Sequence, residues 1–335
     1  MRTEPAFTTA VIPMPPSVRA ETGAPIESAA EQAVGSQRNP ASPLLAYIAA
    51  SVNGGSRTPA EEDALLQLAE RQEALLLERK RDSVIDALRH SPWFARADAD
   101  PDDAQSQWIV QEARLQLKAL LPADLLAPIE QRTTGSHREF FDEISKVIGH
   151  LDDELKSQYS DLLAGYVRFY RELTGILADL KDQLGKPDSD GMIEVNFKGL
   201  LLKLEKLKET WVSKGFGAVF ESKADAEKLL AELGIEGLKV VQLPDGSWQV
   251  GIDTGLIDSL RNVFQPAEGS ISATALNELL QQKETMMESF NFINRALPEK
   301  YQRRLQMWDA LVKLLSSTID AITDADSKVI AAMAG

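Results

Sequence analysis

Hydrophobic residues near the C-terminus of the chain repeat every seven positions. From Tyr301 to Ile322 they stand alternately four and three residues apart, and the pattern resumes at Val329 and Met333. An undistorted helix has about 3.6 residues per turn, so a strict seven-residue repeat keeps one apolar seam against a partner helix only if the two supercoil. The spacing therefore predicts a helix over residues 298–333 that needs a partner of similar length. The seam residues are Tyr301, Leu305, Trp308, Val312, Leu315, Ile319 and Ile322.

A second seam of the same kind lies in residues 139–184. Its alternation holds except for one extra four-residue step, from Leu155 to Tyr159, which predicts a local relaxation of the supercoil. Two matched helices far apart in sequence favour a central, intramolecular antiparallel coiled coil, and two ordinary core helices of a bundle are the alternative. The seam residues here include Tyr159, Leu162, Tyr166, Leu173 and Leu180.

The residues between the two coil helices, 185–297, predict a small mixed α/β insert. Ile193, Val195 and Phe197 alternate with polar residues as in a half-buried strand. Two strand-like runs on either side of a Pro-Asp-Gly turn predict a β-hairpin over 238–252. The helices predicted in the insert cover residues 200–211, 222–234, 254–263 and 272–295.

Two more helices are predicted ahead of the coil, over residues 58–88 and 105–121. Thr58 and Glu61 have the spacing of a capping box, in which each side chain accepts a hydrogen bond from the other residue's backbone N–H. These helices make an N-terminal helical hairpin within residues 43–130. The predicted fold is therefore mainly α, a long coiled coil with an N-terminal hairpin and a small α+β insert.

Composition narrows the range of functions. Lys and Arg number 36 against 51 Asp and Glu, giving a net charge of −15, which disfavours binding to nucleic acid or anionic lipid. No apolar run is long enough to span a bilayer, and the lack of cysteine excludes disulfides and thiolate chemistry. Residues 1–42 are rich in Ala, Pro, Ser, Thr and Glu, which predicts disorder, and prolines interrupt the short apolar run that a Sec signal peptide would need.

The chain contains no recognisable catalytic constellation. Its three histidines stand in unrelated segments, and His150 with Glu154 four residues later is more typical of a helix-surface contact than of a metal site. The acidic cluster 98–103 lacks the spacing of a calcium-binding EF-hand loop and is interpreted as a solvated loop. We therefore expect no cofactor, no bound metal and no enzymatic activity.

The C-terminal seam carries a family resemblance. With the same spacing and without gaps, it resembles the C-terminal signature of the type III secretion needle-tip proteins, the IpaD/SipD/BipD family. The matching positions are Lys300-Tyr301, Trp308-Asp309, Leu311-Val312-Lys313 and Leu315-Ser316-Ser317-Thr318-Ile319. The order of the elements from Tyr159 onward is also that of the family. Departures at Arg303, Arg304 and Ala310 bear on partner specificity rather than on the fold.

The resemblance implies a secreted virulence protein that acts in invasion of host cells. It would carry its secretion signal in residues 1–42, remain cytoplasmic before export, and then sit at the cell surface on the needle tip. There it would cap the needle as a homo-oligomer, regulate effector secretion and serve as the platform for translocator assembly on host contact. Its partners would be the needle subunit, the translocator proteins, copies of itself and, as in some members, bile salts. The N-terminal hairpin would act as a self-chaperone.

A second hypothesis stays open on the residues alone, namely a cytoplasmic coiled-coil chaperone or scaffold that never leaves the cell. Three residues beside the C-terminal seam also have two possible roles. Leu311, Leu314 and Ile330 widen the apolar face, so they either pack under other parts of the chain or form an assembly surface. Lys313 is predicted to be an exposed contact, the alternative being a surface lysine with a buried stem. The candidate needle or oligomer interface is Asp309, Leu311, Lys313, Leu314, Ser317 and Ile330.

Overall fold

The computed structural model describes residues 42–52, 58–90, 104–132, 137–266 and 268–334. The predictions made for residues 1–41 and for the acidic cluster 98–103 lie outside these ranges. The helices that precede the coil are α1 (Pro43–Val52), α2 (Pro59–His90), α3 (Ala104–Leu120) and α4 (Ala123–Arg132). The sequence predicted α2 and α3 but neither α1 nor α4.

The first half of the coil is one uninterrupted run of helical turns. It consists of α5 (His137–Glu154), a π-helical turn (Leu155–Ser160), α6 (Asp161–Ala178) and a short 3-10 turn (Asp179–Gln183). The π turn coincides with the extra four-residue step in the seam. A π-helical turn holds more residues than an α-helical one, so it accommodates the additional position within a single widened turn.

The second half of the coil is α10 (Ala273–Ala334), a 62-residue helix that is roughly 90 Å long. The prediction of two separate helices, 272–295 and 298–333, is wrong, because Pro298 lies inside the helix. Proline removes one backbone hydrogen bond and usually kinks or ends a helix. Here the helix continues because it is packed on both sides of the proline, as the burial of Leu297 before it and Tyr301 after it shows.

Contacts across the seam confirm an antiparallel coiled coil. Trp308 Nε1 donates a hydrogen bond to the carbonyl oxygen of Ile148 (3.3 Å), while the Tyr166 hydroxyl donates to the carbonyl of Phe290. Residue numbers therefore rise along one helix as they fall along the other. Val312 is half-buried, and the side chain of Ile322 lies outside the described part of the chain. The buried seam residues are Tyr301, Leu305, Trp308, Leu315, Ile319, Tyr159, Leu162, Tyr166, Leu173 and Leu180.

The insert contains two three-stranded antiparallel sheets, in the orders β1-β2-β6 and β3-β5-β4. The strands are β1 (Leu184–Pro187), β2 (Met192–Asn196), β3 (Val219–Phe220), β4 (Leu238–Gln242), β5 (Trp248–Ile252) and β6 (Glu268–Ser272). The helices of the insert are α7 (Lys198–Lys214), α8 (Lys223–Leu233) and α9 (Thr254–Phe264). Because β1 follows the first coil helix and β6 leads directly into α10, the first sheet joins the ends of the two coil helices.

Local signals in the sequence place most of the insert correctly. The predicted β-hairpin is the β4–β5 pair, with Val240 opposite Val250. Helix α8 begins at Ser222, whose hydroxyl accepts a hydrogen bond from the N–H of Asp225 (3.1 Å), and it ends at Gly234, which has the left-handed φ of 57° that glycine adopts without strain. The short edge strands β1, β3 and β6 were not predicted. β3 and β6 pair with strands distant in sequence, whereas β1 pairs with the adjacent β2.

Helices α2 and α3, which were predicted to form the N-terminal hairpin and are given that name below, both lie against the coil. The capping box of α2 is present, since the N–H of Thr58 donates to Glu61 Oε2 (2.9 Å) and the N–H of Glu61 donates to Thr58 Oγ1 (3.3 Å). Helix α2 packs against α1, α5, α6 and α10, while α3 packs chiefly against α10 and α4 packs against α5. Helix α10 is therefore the common support of both hairpin helices.

Candidate assembly interface

The structure separates the candidate interface residues into buried and exposed groups. Leu311 and Leu314 are buried, at 0% and 6% exposure, on the helix that α2 and α3 both contact. Lys313, between them, is exposed, and so is Ser317. The side chain of Ile330 lies outside the described part of the chain. In this conformation the two leucines are core residues beneath other parts of the chain, whereas Lys313 has the predicted exposure.

Asp309 is engaged by the N-terminal hairpin. Its Oδ1 accepts a hydrogen bond from Lys80 Nζ of α2 at 2.8 Å, and the same ammonium lies 6.0 Å from the centre of the Trp308 ring. The Ser317 hydroxyl donates to the carbonyl oxygen of Leu314 (3.0 Å), one turn earlier in the same helix. Asp309, which was predicted to contact a partner protein, therefore binds helix α2 of its own chain.

The first half of α2 presents acidic residues to the coil. Arg168 of α6 donates to Asp63 through Nε (2.7 Å) and to Glu70 through one of its terminal nitrogens (2.8 Å). One turn further along α6, the Nε of Arg171 lies 2.7 Å from a carboxylate oxygen of Glu62. These pairs hold α2 antiparallel to α6, because the residue numbers of the partners run in opposite directions.

The second half of α2 presents basic residues to the coil. Arg81 forms a short ion pair with Asp152 of α5, whose side chain has 0% exposure. Lys156 also contacts Asp152, with its Nζ 2.9 Å from Oδ2. A fully buried carboxylate is unfavourable without a cation beside it, so Asp152 requires these two partners.

The middle of α2 carries a buried carboxylate that links three helices. One oxygen of Glu73 accepts hydrogen bonds from the Ser42 hydroxyl (2.6 Å) and from the N–H of Leu44 (3.3 Å) at the start of α1. On the α10 side, burial and then the negative charge of Glu73 raise the pKa of the Tyr301 hydroxyl. Glu73 and Tyr301 line one cavity, and neither Glu73 Oε1 nor the Tyr301 hydroxyl has a hydrogen-bond partner there.

Arg304 is a buried link rather than a surface residue. With a side-chain exposure of 8%, it pairs with Glu154 of α5 and, at 2.9 Å, with Glu232 of α8. Burial lowers the pKa of Arg304, but its hydrogen bond to Glu154 and the two negative charges outweigh that effect and the pKa is raised. Arg304 joins the coil to the insert, so this departure from the family pattern also bears on the fold, while its effect on partner specificity stays a prediction.

A crevice runs beneath α2 where it crosses the π turn. A cavity of about 610 Å³ lies among α2, α6 and the insert, and a second of about 330 Å³ lies further along α2. Glu70 and Asp161 line both cavities. Asp161 is open to water in the crevice, yet desolvation by the surrounding walls, and next the charge of Glu70, raise its pKa to about 6.

These charged contacts are the part of the site that sequence reasoning missed. The signal was present along α2, since Glu61, Glu62 and Asp63 open the helix while Arg79, Lys80 and Arg81 follow near its end. What the sequence does not show is which of these charges face the coil: Glu62, Asp63, Lys80 and Arg81 pair with it, whereas Glu61 and Arg79 are exposed. Over the described ranges, the structure holds no group of three or more His, Asp or Glu side chains that could bind a metal. No described helix is long and apolar enough to cross a membrane.

Fold and site together define a helical protein in which a long antiparallel coil carries a mixed insert and is covered on one flank by N-terminal helices. Residues 50–330 match the family model described as type III secretion systems tip complex components. The chain belongs to this family, and the resemblance found in the C-terminal seam is confirmed.

Named relatives support the same assignment. The chain is 28% identical over 215 residues to Invasin IpaD of Shigella flexneri, covering 60% of this chain and 63% of that protein. It is 27% identical over 219 residues to the cell invasion protein SipD of Salmonella typhi, covering 61% of this chain and 63% of that protein. The match therefore spans less than two-thirds of the length of these relatives.

Solved structures show the same fold. BipD of Burkholderia pseudomallei aligns with a TM-score of 0.51 at 16% identity, covering 88% of this chain and 97% of that structure. A pathogenicity island 1 effector protein of Chromobacterium violaceum aligns with a TM-score of 0.53 at 20% identity, covering 84% and 90%. The predicted fold class is therefore confirmed.

Proposed function

We propose that this chain is exported by a type III secretion apparatus and caps its needle at the cell surface. There it regulates effector secretion and, on host contact, serves as the platform on which translocator proteins assemble. Membership of the tip-complex family supports this proposal. The observation that carries the mechanism is the burial of Leu311 and Leu314 on α10, the helix that α2 and α3 both contact, with Lys313 exposed between them.

In the proposed mechanism the N-terminal hairpin is a self-chaperone. Before export it keeps the apolar flank of α10 away from water and from other copies of the chain, because exposed apolar patches promote association. At the needle the hairpin moves aside, and an amphipathic helix of the needle subunit takes its place along the coil. Lys313 then makes a contact at the edge of the new interface.

The location of the protein is the first test. Immunogold labelling of intact cells is expected to place the protein at needle tips, because the proposed function requires export and surface assembly. Cells with the needle subunit deleted are the control and should lose the surface label. Label found only after lysis would contradict the proposal and favour the cytoplasmic chaperone or scaffold.

The self-chaperone role has a separate test. Deleting residues 58–121 should uncover the flank of α10 and increase the mass measured by light scattering, relative to the full chain. A chain lacking only residues 1–41 serves as the control and should have the same number of chains per particle as the full chain. If the chain without residues 58–121 also keeps that number, the self-chaperone role is wrong.

Bile salts remain a predicted ligand. The cavity of about 610 Å³ has aromatic walls at Trp211 and Phe216 and is large enough for a small amphiphile. Its two arginines, Arg168 and Arg171, are already paired with carboxylates of α2. Calorimetric titration with deoxycholate tests the prediction, and heat that persists unchanged after Trp211→Ala would assign the binding to another place.

A further inference from the structure

The contacts of α2 with the coil follow an ordered pattern of charge. In its N-terminal half the residues paired with the coil are the acids Glu62, Asp63 and Glu70. In its C-terminal half they are the bases Lys80 and Arg81. The helix dipole favours the acids at the start of α2, such as Glu62, but its effect fades within one turn and does not reach Glu70, Lys80 or Arg81. The order of charge is therefore set by the pairs with the coil.

The coil carries the complementary order. Arg168 and Arg171 stand at the end that meets the acids, and Asp152 and Asp309 stand at the end that meets the bases. The pairing of Lys80 with Asp309, one residue from Trp308 of the seam, places the basic end of α2 beside the middle of α10. The surface of the coil beneath α2, called the groove below, therefore carries cations at one end and anions at the other.

The direction of the bound helix follows from the same contacts. Glu73 and Tyr301 line one cavity, and Lys80 is paired with Asp309, so residue numbers rise together on α2 and α10. Helix α2 therefore runs parallel to α10 and antiparallel to α6. The step of ten residues from Glu70 to Lys80 sets the gap between the acidic and basic blocks at about 15 Å.

We infer that this groove selects a partner helix by its charge order, acidic in the N-terminal half and basic in the C-terminal half, running parallel to α10. The inference rests on the proposed function, in which a helix of the needle subunit replaces α2, and it specifies the chemistry of that helix. The apolar face of the partner provides adhesion, while the two charged blocks fix its direction and register.

A helix with the blocks exchanged meets like charges at both ends. Its bases would face Arg168 and Arg171, and its acids would face Asp309 and the fully buried Asp152. Asp152 would also lose the guanidinium that Arg81 provides, and a buried charge that loses a partner destabilises a complex strongly. Reversing the helix to match the charges would instead turn its backbone direction and side-chain tilt against the groove.

The experiment uses the full chain with the paired charges of α2 neutralised. The variant Glu62→Gln, Asp63→Asn, Glu70→Gln, Lys80→Gln and Arg81→Gln keeps the apolar face of α2 but removes its charged contacts, so a competing helix can displace it. Two fluorescent peptides of identical composition and apolar face are titrated into this variant. One has the acidic block first and the other has the basic block first, and binding is followed by fluorescence anisotropy.

The acid-first peptide is expected to bind roughly tenfold more tightly than the block-exchanged peptide, since several modest ion pairs are replaced by like-charge contacts. In a second variant that also carries Arg168→Glu and Arg171→Glu, this preference should shrink or reverse. Equal affinities, a preference for the block-exchanged peptide, or no binding of either peptide would overturn the inference. Circular dichroism of each variant confirms that it is folded, and the first variant alone decides the question if the second is not.

Failure of the proposed function would look different. A chain that binds the acid-first peptide selectively, yet is never found at needle tips, would keep the charge-order inference and lose the needle as its partner. A chain found at needle tips that does not discriminate between the peptides would keep the function and lose the inference.

Discussion

Two interfaces of the coil are built from different chemistry. The seam between its two halves is apolar and aromatic, with Tyr301, Trp308 and Leu315 fully buried. The contact with α2 also buries leucines of α2, but it carries charge pairs along its length, to α6, to α5 and, through Lys80 and Asp309, to α10. Apolar burial contributes about 25 cal/mol per Å², whereas exposed ion pairs contribute little net stability. The seam therefore holds the coil together, while the α2 contact specifies position at a lower net strength.

This difference suits the proposed mechanism, in which the hairpin leaves the coil. An interface of charge pairs is sensitive to salt and to a competing charged helix, since its Coulomb energy can be screened or replaced. The seam is not sensitive to salt in this way, because separating its apolar surfaces exposes them to water, which is unfavourable. The two interfaces can thus respond independently, with the coil intact and the hairpin released.

The largest expected effect comes from breaking the seam. Trp308→Ala removes a fully buried indole and should lower the free energy of unfolding by about 3–5 kcal/mol. The matched control is Trp108→Ala, at a side chain with 67% exposure on α3, which should change it by less than about 0.5 kcal/mol. Urea unfolding followed by circular dichroism measures both, and equal losses would contradict the assignment of Trp308 to the core.

A smaller effect is expected from breaking the α2 contact. Arg81→Ala leaves Asp152 with Lys156 as its remaining partner, so the loss should be about 1–3 kcal/mol rather than the full cost of an unpaired buried charge. Hydrogen exchange should quicken in α2 and stay unchanged in α6. The exposed Arg79→Ala is the control and should alter neither. Faster exchange in both helices after Arg81→Ala would show that the two interfaces are not separable.

A still smaller effect is expected from pH, through Asp161. Its pKa is raised in the folded protein from an ordinary 3.8 to about 6, so the folded state binds the proton more tightly than the unfolded state. This group's contribution to stability therefore increases as the pH falls from about 7.5 to 5, where Asp161 becomes neutral beside Glu70. Because Asp161 is open to water, the change should stay below about 1 kcal/mol.

The variant Asp161→Asn isolates this contribution. It should show a smaller difference between its urea midpoints at pH 7.5 and pH 5.5 than the natural chain does, because an amide cannot titrate. An identical pH dependence in both proteins would assign the effect to other carboxylates. Asp253 is not a competing source in this range, since its hydrogen bond with Lys239 lowers its pKa below the ordinary value.

The smallest effect on stability is expected at Lys313. Lys313→Glu should change the free energy of unfolding by less than about 0.5 kcal/mol, because the side chain is exposed. It should nevertheless weaken binding to the needle, measured by co-sedimentation with purified needles. Lys328→Glu, the same change at another exposed lysine of α10, is the control and should bind normally. A collapse of the melting temperature would instead give Lys313 a structural role.

The sequence alone determined the parts of this protein that depend on short-range order. The seven-residue repeats identify both coil helices, the extra step at Leu155 marks the π turn, and Thr58 with Glu61 marks the start of α2. The Pro-Asp-Gly turn and the cap at Ser222 place the β4–β5 hairpin and α8. Each of these signals lies within a few turns of helix or one strand pair, where side-chain spacing and backbone geometry decide the structure.

Only the tertiary structure decided which charged and apolar residues lie inside. Leu311 was open between core and surface, Arg304 was expected to bear on partners, and Pro298 was expected to begin a helix. Each outcome depends on a neighbour distant in sequence, such as Glu154, which lies 150 positions from Arg304. A periodic pattern shows which face of a helix is apolar, but it does not show which other helix brings a counter-charge to that face. The charge order of the groove is therefore a property of the fold.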